Sequence, residues 1–427
     1  MANLKSTIVN AVWLASDRVA RLVLNFIAGI LITRALGPTD YGLLSYGQAL
    51  IFLITPIATV GLPEIVVREL SRRSADSDPG ESLEIVANAL AVRAASGLLS
   101  IIIMVVLAFV AEPDNITAKL VIIAYSFSIA PQALDVIESG MQAKGLFRIV
   151  SLARTVNSLA FAAIKIASAF LFADVIWFAA LYGLEVLVFA GVYYALARRY
   201  LLLPSWCLVK LERMRNLVSA SLPLMLRLLT IAIYMRIDQV LVKELMGSER
   251  LGVYSVAIRV SELWYFVPTA IMAAALPRLT QSYELGIEAY ERELRNWMRI
   301  MMLIAIPMAL GLSLMSNIVI DLLFGAAYAE AGAALAVQAW AGVFVAIGVA
   351  TGPWFINTGM LRYGFYQAGI GAVASISLNL LLIPRFGLLG ASYGMVISYA
   401  ISAMLCNALF RDTRRLFVMQ LKAMVFR

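Results

Sequence analysis

Histidine is absent from this 427-residue chain. That removes the side chain most often used to move protons near neutral pH, and the commonest metal ligand. Cysteine is nearly absent too. Cys207 and Cys406 are isolated thiols, without metal-ligand spacing and without the makings of a disulfide framework. Charge is scarce: Asp, Glu, Lys and Arg make up only 14% of the chain, against about 25% in soluble domains. Long polar stretches are missing as well. The longest gaps between apolar segments, about 68–84, 198–215 and 278–297, are too short to fold as domains. A soluble catalytic domain, a nucleotide-binding domain and a bound cofactor are therefore not expected.

What remains is apolar: 62% of the residues are hydrophobic. A helix needs about 20 mostly apolar residues to cross a bilayer. Twelve segments reach that length, near 9–34, 43–67, 85–110, 118–142, 149–172, 175–197, 216–243, 252–277, 298–319, 332–357, 362–384 and 387–411. Met1 to Ile8 lead directly into the first, so no cleavable signal peptide is expected. Most of the 34 Lys and Arg fall on one side of this arrangement, among them Arg68, Arg148, Arg198, Arg199, Arg213, Arg292, Arg411 and Arg414. Only Arg34, Lys119, Lys243, Arg250 and Arg385 fall on the other. By the positive-inside rule the first side is cytoplasmic, and both termini lie there. The net charge of +8 belongs to loops facing anionic lipid and gives no reason to expect nucleic acid.

The chain also repeats itself. Leu36-Gly37-Pro38-Thr39-Asp40-Tyr41-Gly42-Leu43-Leu44-Ser45 is echoed by Met246-Gly247-Ser248-Glu249-Arg250-Leu251-Gly252-Val253-Tyr254-Ser255. Leu62-Pro63 is echoed by Leu276-Pro277, and Ala180-Leu181-Tyr182-Gly183 by Ala391-Ser392-Tyr393-Gly394. The three anchors keep their order at nearly one offset. They predict an all-α integral membrane protein of 12 transmembrane helices, in two six-helix lobes related by a pseudo-two-fold axis along the membrane normal. The expected organisation is an N-terminal lobe over 1–197, a cytoplasmic linker over 198–215, a C-terminal lobe over 216–411 and a basic cytoplasmic tail over 412–427. The Gly-x4-Gly loop reads as a tight link between spans. It lacks the Lys-Ser/Thr of a P-loop.

Charges lie inside the spans. Arg18, Arg21, Arg93, Lys165, Arg227, Arg236 and Arg259 face Asp17, Asp135, Glu138, Glu185, Asp238 and Glu262 in number. Each costs about 2.5–3.5 kcal/mol at the bilayer centre, so they must meet a wet cavity or one another. They fall on helical stripes, such as Arg227, Thr230, Tyr234 and Asp238 in the seventh span. Spans nine to twelve carry almost no charge, which places the polar cavity among the first eight. Simple pairing is the plainest role for Glu138, Arg236 and Asp238, nearest the span ends. Pro56, Pro131, Pro223, Pro268, Pro307 and Pro353 mark points where spans can bend. Asp76-Ser77-Asp78 has the form of a metal-nucleotide D-x-D but reads as a solvated loop. The segments Arg278 to Arg299 and Arg411 to Arg427 alternate charge with apolar residues and predict amphipathic helices at the interface.

The run Asn10 to Leu70, with Leu36 to Gly42 and Arg68-Glu69-Leu70-Ser71-Arg72, resembles the start of Wzx-type polysaccharide (O-antigen) flippases. These belong to the multidrug/oligosaccharidyl-lipid/polysaccharide (MOP) exporter superfamily. Leu378-Asn379 and Ile383-Pro384-Arg385-Phe386-Gly387-Leu388-Leu389-Gly390-Ala391 are similar to the family's late-helix pattern. The resemblance implies an undecaprenyl-diphosphate-linked glycan as substrate, the bacterial inner membrane as location, and membrane lipids and other polysaccharide-assembly proteins as partners. It implies arginines of spans one and eight as diphosphate contacts, here Arg18, Arg21 and Arg259. Guanidinium pairs bidentately with phosphate oxygens. Arg93, Lys165 and Arg227 complete the candidate substrate set, and Asp17, Asp135, Glu138, Glu185 and Glu262 are candidate ion-coupling acids. One departure stands out: the family's cavity is cationic, and the charges here nearly balance. Two rivals remain, a multidrug/cation antiporter of the same superfamily and a membrane glycan polymerase. The first needs acids in excess, and the second needs a long outer loop.

Overall fold

A computed structural model describes residues 2–71, 79–143, 146–200 and 206–425, with the side chains of 21–70, 80–141, 146, 148–200, 207–360 and 362–425. The described residues are predominantly helical, and ten stretches among them are long and apolar enough to cross a membrane. The protein is an integral membrane protein. The Asp76-Ser77-Asp78 loop lies outside the described residues, as do the side chains of Asp17 and Arg18.

Among the described residues, seventeen α-helices carry the fold. Those of the first half are α1 (Ala2–Thr59), α2 (Leu62–Ser71), α3 (Pro79–Ala111), α4 (Ile116–Ser126), α5 (Ile129–Gln132), α6 (Asp135–Ala143), α7 (Phe147–Leu171) and α8 (Val175–Arg199). The second half holds α9 (Leu211–Met246), α10 (Ser248–Glu262), α11 (Phe266–Glu284), α12 (Ile287–Leu314), α13 (Ser316–Phe324), α14 (Ala331–Gln338), α15 (Ala341–Asn357), α16 (Leu361–Ala403) and α17 (Arg414–Met424). The chain forms two compact units, Met1–Leu229 and Thr230–Arg427, and the division falls inside α9.

Two of the ten apolar stretches are too long for one crossing. Arg21–Leu70 has 50 residues, about 75 Å if straight, against a hydrocarbon core of about 30 Å. It breaks at Gly37, whose φ of 73° and ψ of 174° leave the helix. Arg362–Ala408 breaks at Gly387, with φ 59° and ψ −134°. There the chain doubles back closely: a Cβ on Gly390 would lie 2.1 Å from the Leu382 carbonyl oxygen. Only glycine fits that approach.

In the first unit α1 packs on α3, α4, α7 and α8, and α2 packs on α6. Leu62, Val66, Ile85, Ala89 and Val136 form the core where α2, α3 and α6 meet. In the second unit α10 packs on α14, α11 and α12 pack on α15, and α16 packs on α14 and α15. Its core gathers Trp264, Tyr290, Leu294, Met298, Met302 and Trp354. Neutral groups hold the charge-poor spans here. Gln338 donates to the Ser392 hydroxyl at 3.2 Å, and Asn379 to the Ser375 carbonyl at 2.8 Å.

One expectation is corrected. The segment Arg278 to Arg299 is not a separate interfacial helix. It is the end of α11 and the start of α12, turned at Gly286 with φ 117°. Its apolar residues Tyr290, Leu294 and Met298 are fully buried in the second unit's core, so its amphipathic pattern serves packing within the protein. The prolines also divide. Pro131 lies in the short α5, between breaks on either side, and Pro268 follows a 3-10 turn at Leu263–Tyr265. Helices α9, α12 and α15 run unbroken through Pro223, Pro307 and Pro353.

Candidate functional site

In the first unit one buried charge pair sits at two helix breaks. Span two stops at Thr59 and restarts at Leu62, with Val60 and Gly61 at φ 52° and 65°. Span four is interrupted between α5 and α6. Arg93 of α3 reaches both places. Its guanidinium donates to the Ala58 carbonyl, to the Gln132 carbonyl at 2.8 Å, and to Asp135 at 2.6 and 3.2 Å. The Ser96 hydroxyl donates to the same Ala58 carbonyl at 2.7 Å. The Arg93 side chain is 1% exposed. Its role in the described geometry is to satisfy backbone carbonyls at two helix breaks and to pair with one carboxylate, which tolerates the charge at depth.

Three residues along α6, Glu138 accepts from Arg154 of α7 and from the Tyr193 hydroxyl of α8. Arg154 also donates to the Tyr193 oxygen at 3.2 Å and lies over the Phe189 ring. Deeper in the same helix pair, Lys165 and Glu185 form an ion pair of 2.5 Å, both largely buried. Asn157 donates to the Glu185 carbonyl at 3.3 Å. Asn25 of α1 donates to the Ser158 hydroxyl of α7 at 3.1 Å. Arg21, one turn earlier on α1, is half-buried and engaged. Between α2 and α6 a cavity of about 430 Å³ is lined by Pro63, Glu64, Val67, Asp135, Glu138 and Ser139.

In the second unit Arg236 of α9 grips Glu262 of α10 through two bonds of 2.8 and 2.9 Å. Asp238, almost fully buried, accepts from the Tyr254 hydroxyl at 2.7 Å and from the Gln239 amide at 2.9 Å. Arg259 is half-buried and engaged. Arg227, in the part of α9 that belongs to the first unit, is exposed and has no ion pair or hydrogen bond among the described residues.

The candidate residues thus sort by partner. Arg93 meets Asp135, Lys165 meets Glu185, Glu138 meets Arg154, and Glu262 meets Arg236. Arg227 alone of the described candidates stands open. Sequence reasoning missed Tyr193, Tyr254 and Arg154 as partners. Tyr193 serves an acid two spans earlier in the chain and Tyr254 one on the preceding helix, and a hydroxyl carries no charge to mark it in an apolar run. Arg154 lies near the start of the fifth apolar segment, where a long arginine usually turns toward water.

Comparison with known proteins agrees with this architecture. A family model described as polysaccharide biosynthesis protein matches residues 8–283, and a MatE model matches 223–381. The capsular polysaccharide biosynthesis protein CapF of Staphylococcus aureus is 26% identical over 38% of this chain and 41% of its own length. The probable low-salt glycan biosynthesis flippase Agl15 of Haloferax volcanii is 22% identical over 40% of this chain and 37% of its own. The chain thus spans about two fifths of the length of the curated relatives it matches. Among solved structures, the lipid II flippase MurJ in an inward closed conformation superposes with a TM-score of 0.77, at 14% identity over 97% of this chain and 91% of that one. An inward-facing multidrug resistance MATE transporter superposes with 0.75, at 18% identity over 94% and 96%. A model match over more than half of the chain settles the family: the chain belongs to the polysaccharide biosynthesis protein family, and its helical fold is similar to those of the MurJ and MATE structures.

Proposed function

We propose that the protein moves an undecaprenyl-diphosphate-linked oligosaccharide from the cytoplasmic to the outer leaflet, by alternating access, for cell-surface polysaccharide assembly. On this reading the breaks at Gly37 and Gly387 each divide an apolar stretch into two crossings, for twelve in all, with both termini on the cytoplasmic side of a bacterial inner membrane. The glycan and diphosphate head would pass through a polar path while the lipid tail stays in the bilayer. No covalent step is required of the protein, and the drive is an ion gradient or the membrane potential.

One observation carries the choice of cargo. The intramembrane acids Asp135, Glu138, Glu185 and Glu262 are each held by a basic residue, whereas Arg227 presents an uncommitted guanidinium. An antiporter for cationic drugs needs carboxylates open to its substrate, and an anionic diphosphate needs the reverse. Arg18, Arg21 and Arg259, the diphosphate contacts that the family resemblance implies, belong to the same proposal. The antiporter reading is favoured by the MatE match over 223–381 and by the MATE-like fold. Purified protein reconstituted into vesicles separates the two: a lipid-linked saccharide crosses in the first case, a cationic dye in the second.

A further inference from the structure

The last helix is seated, not loose. Helix α17 buries Leu416, Met419 and Ala423 in the core that holds Tyr290 and Leu294 of α12. A buried polar chain fastens it to the end of α16. Gln420 donates to the Ala403 carbonyl at 2.9 Å, Asn407 to Gln420 at 3.1 Å, and Gln367 to Asn407 at 2.7 Å. At 11 residues the helix is about 16 Å long, too short to cross a bilayer.

Its other face is open. Arg411, Arg414, Arg415, Val418, Leu421, Lys422 and Val425 are all exposed and follow one another at helical spacing. Two acids stand near them. Asp412 lies 3.7 Å from Arg362, and Glu291 lies 3.9 Å from Arg415. Arg411 and Lys422 have no ion pair among the described residues. Beside this stripe, at the start of α16, Tyr363 and Tyr366 pack on Phe410 with ring centres 5.3 and 5.7 Å apart, and Arg362 lies over Tyr363 at 5.0 Å. Tyrosines at a helix end mark the level of the headgroups in a membrane protein.

We propose that this stripe, with Arg362 beside it, is a docking surface for anionic phospholipid headgroups. Fixed cations at headgroup level attract phosphate, and Val418, Leu421 and Val425 between them enter the acyl boundary. Because α17 is locked to α12 and α16 on its buried side, the surface is preformed and ordering it costs little.

The test uses the full chain in vesicles of phosphatidylcholine, with and without phosphatidylglycerol, and follows backbone amide exchange. Exchange across 411–425 should slow several-fold when phosphatidylglycerol is present, and high salt should remove the difference. The R411Q/R414Q/R415Q/K422Q variant should show no slowing, while exchange over 287–302 stays as in the wild type. Equal exchange of the wild-type segment in both vesicle types would overturn the proposal. So would slowing caused by a short-chain isoprenyl diphosphate in phosphatidylcholine but not by phosphatidylglycerol, which would mark the surface as a contact for substrate.

Discussion

The Arg93 guanidinium lies 2.6 Å from the Asp135 carboxylate and also holds the carbonyls of Ala58 and Gln132. One side chain of α3 thus ties together the breaks of spans two and four. Removing one partner of such a buried pair leaves an uncompensated charge, at a cost of about 3–5 kcal/mol. Arg93→Ala should therefore lower the thermal midpoint of the purified protein steeply. Arg93→Met with Asp135→Leu should recover part of the loss, although the two carbonyls stay unserved. A midpoint unchanged by Arg93→Ala would contradict the bracing role.

Lys165 and Glu185 join α7 to α8 as an ion pair at 2.5 Å. Their coupling should appear in a double-mutant cycle as about 0.5–3 kcal/mol, the range for residues in direct contact. Lys165→Glu alone should abolish folded protein in the membrane. Lys165→Glu with Glu185→Lys should restore it. Additive losses in the cycle would show that the contact carries no energy.

Gly37 and Gly247 share one backbone conformation, φ 73° and ψ 174° in the first, φ 91° and ψ 172° in the second. That region is open essentially to glycine alone, and other residues held there cost about 1–3 kcal/mol. No neighbouring atom lies within 4 Å of a Cβ built at either position, so the demand is conformational and not one of space. Gly37→Ala and Gly247→Ala should each lower stability by that amount, measured by thermal unfolding. A similar loss at both positions is expected, since both do the same work in the repeat.

Arg227 is exposed and makes no polar contact among the described residues. Arg227→Ala should leave stability within about 0.5 kcal/mol of the wild type. If the guanidinium meets a diphosphate, its loss removes a charge-assisted bond of about 1.5–3 kcal/mol, roughly a tenfold or greater loss of transport. Normal transport by this variant would remove Arg227 from the path.

The repeat was legible in the sequence because Gly37 and Gly247 stand where only glycine can stand, and such a residue survives as a spacing marker. The membrane-crossing character of the helices was legible because length and hydropathy are properties of single segments. The pairing of charges was only half legible. Asp135 and Glu138 follow each other at i and i+3 on one helix, yet one is taken by Arg93 of α3 and the other by Arg154 of α7. Which helix supplies the partner is decided by tertiary packing, which periodicity along one helix does not encode. Segment 278–299 misled for a similar reason: an amphipathic stripe that covers Tyr290 and Leu294 looks the same whether lipid or α17 lies against it.

The central claim is the identity of the cargo, and one measurement addresses it directly. The protein is reconstituted into vesicles that carry a lipid-linked saccharide in one leaflet and a cationic dye in the bulk, and both are followed across the bilayer. The account predicts that the lipid-linked saccharide changes leaflet, that the dye does not cross, and that Arg227→Ala slows the first. Dye crossing with the saccharide left in its leaflet would contradict it.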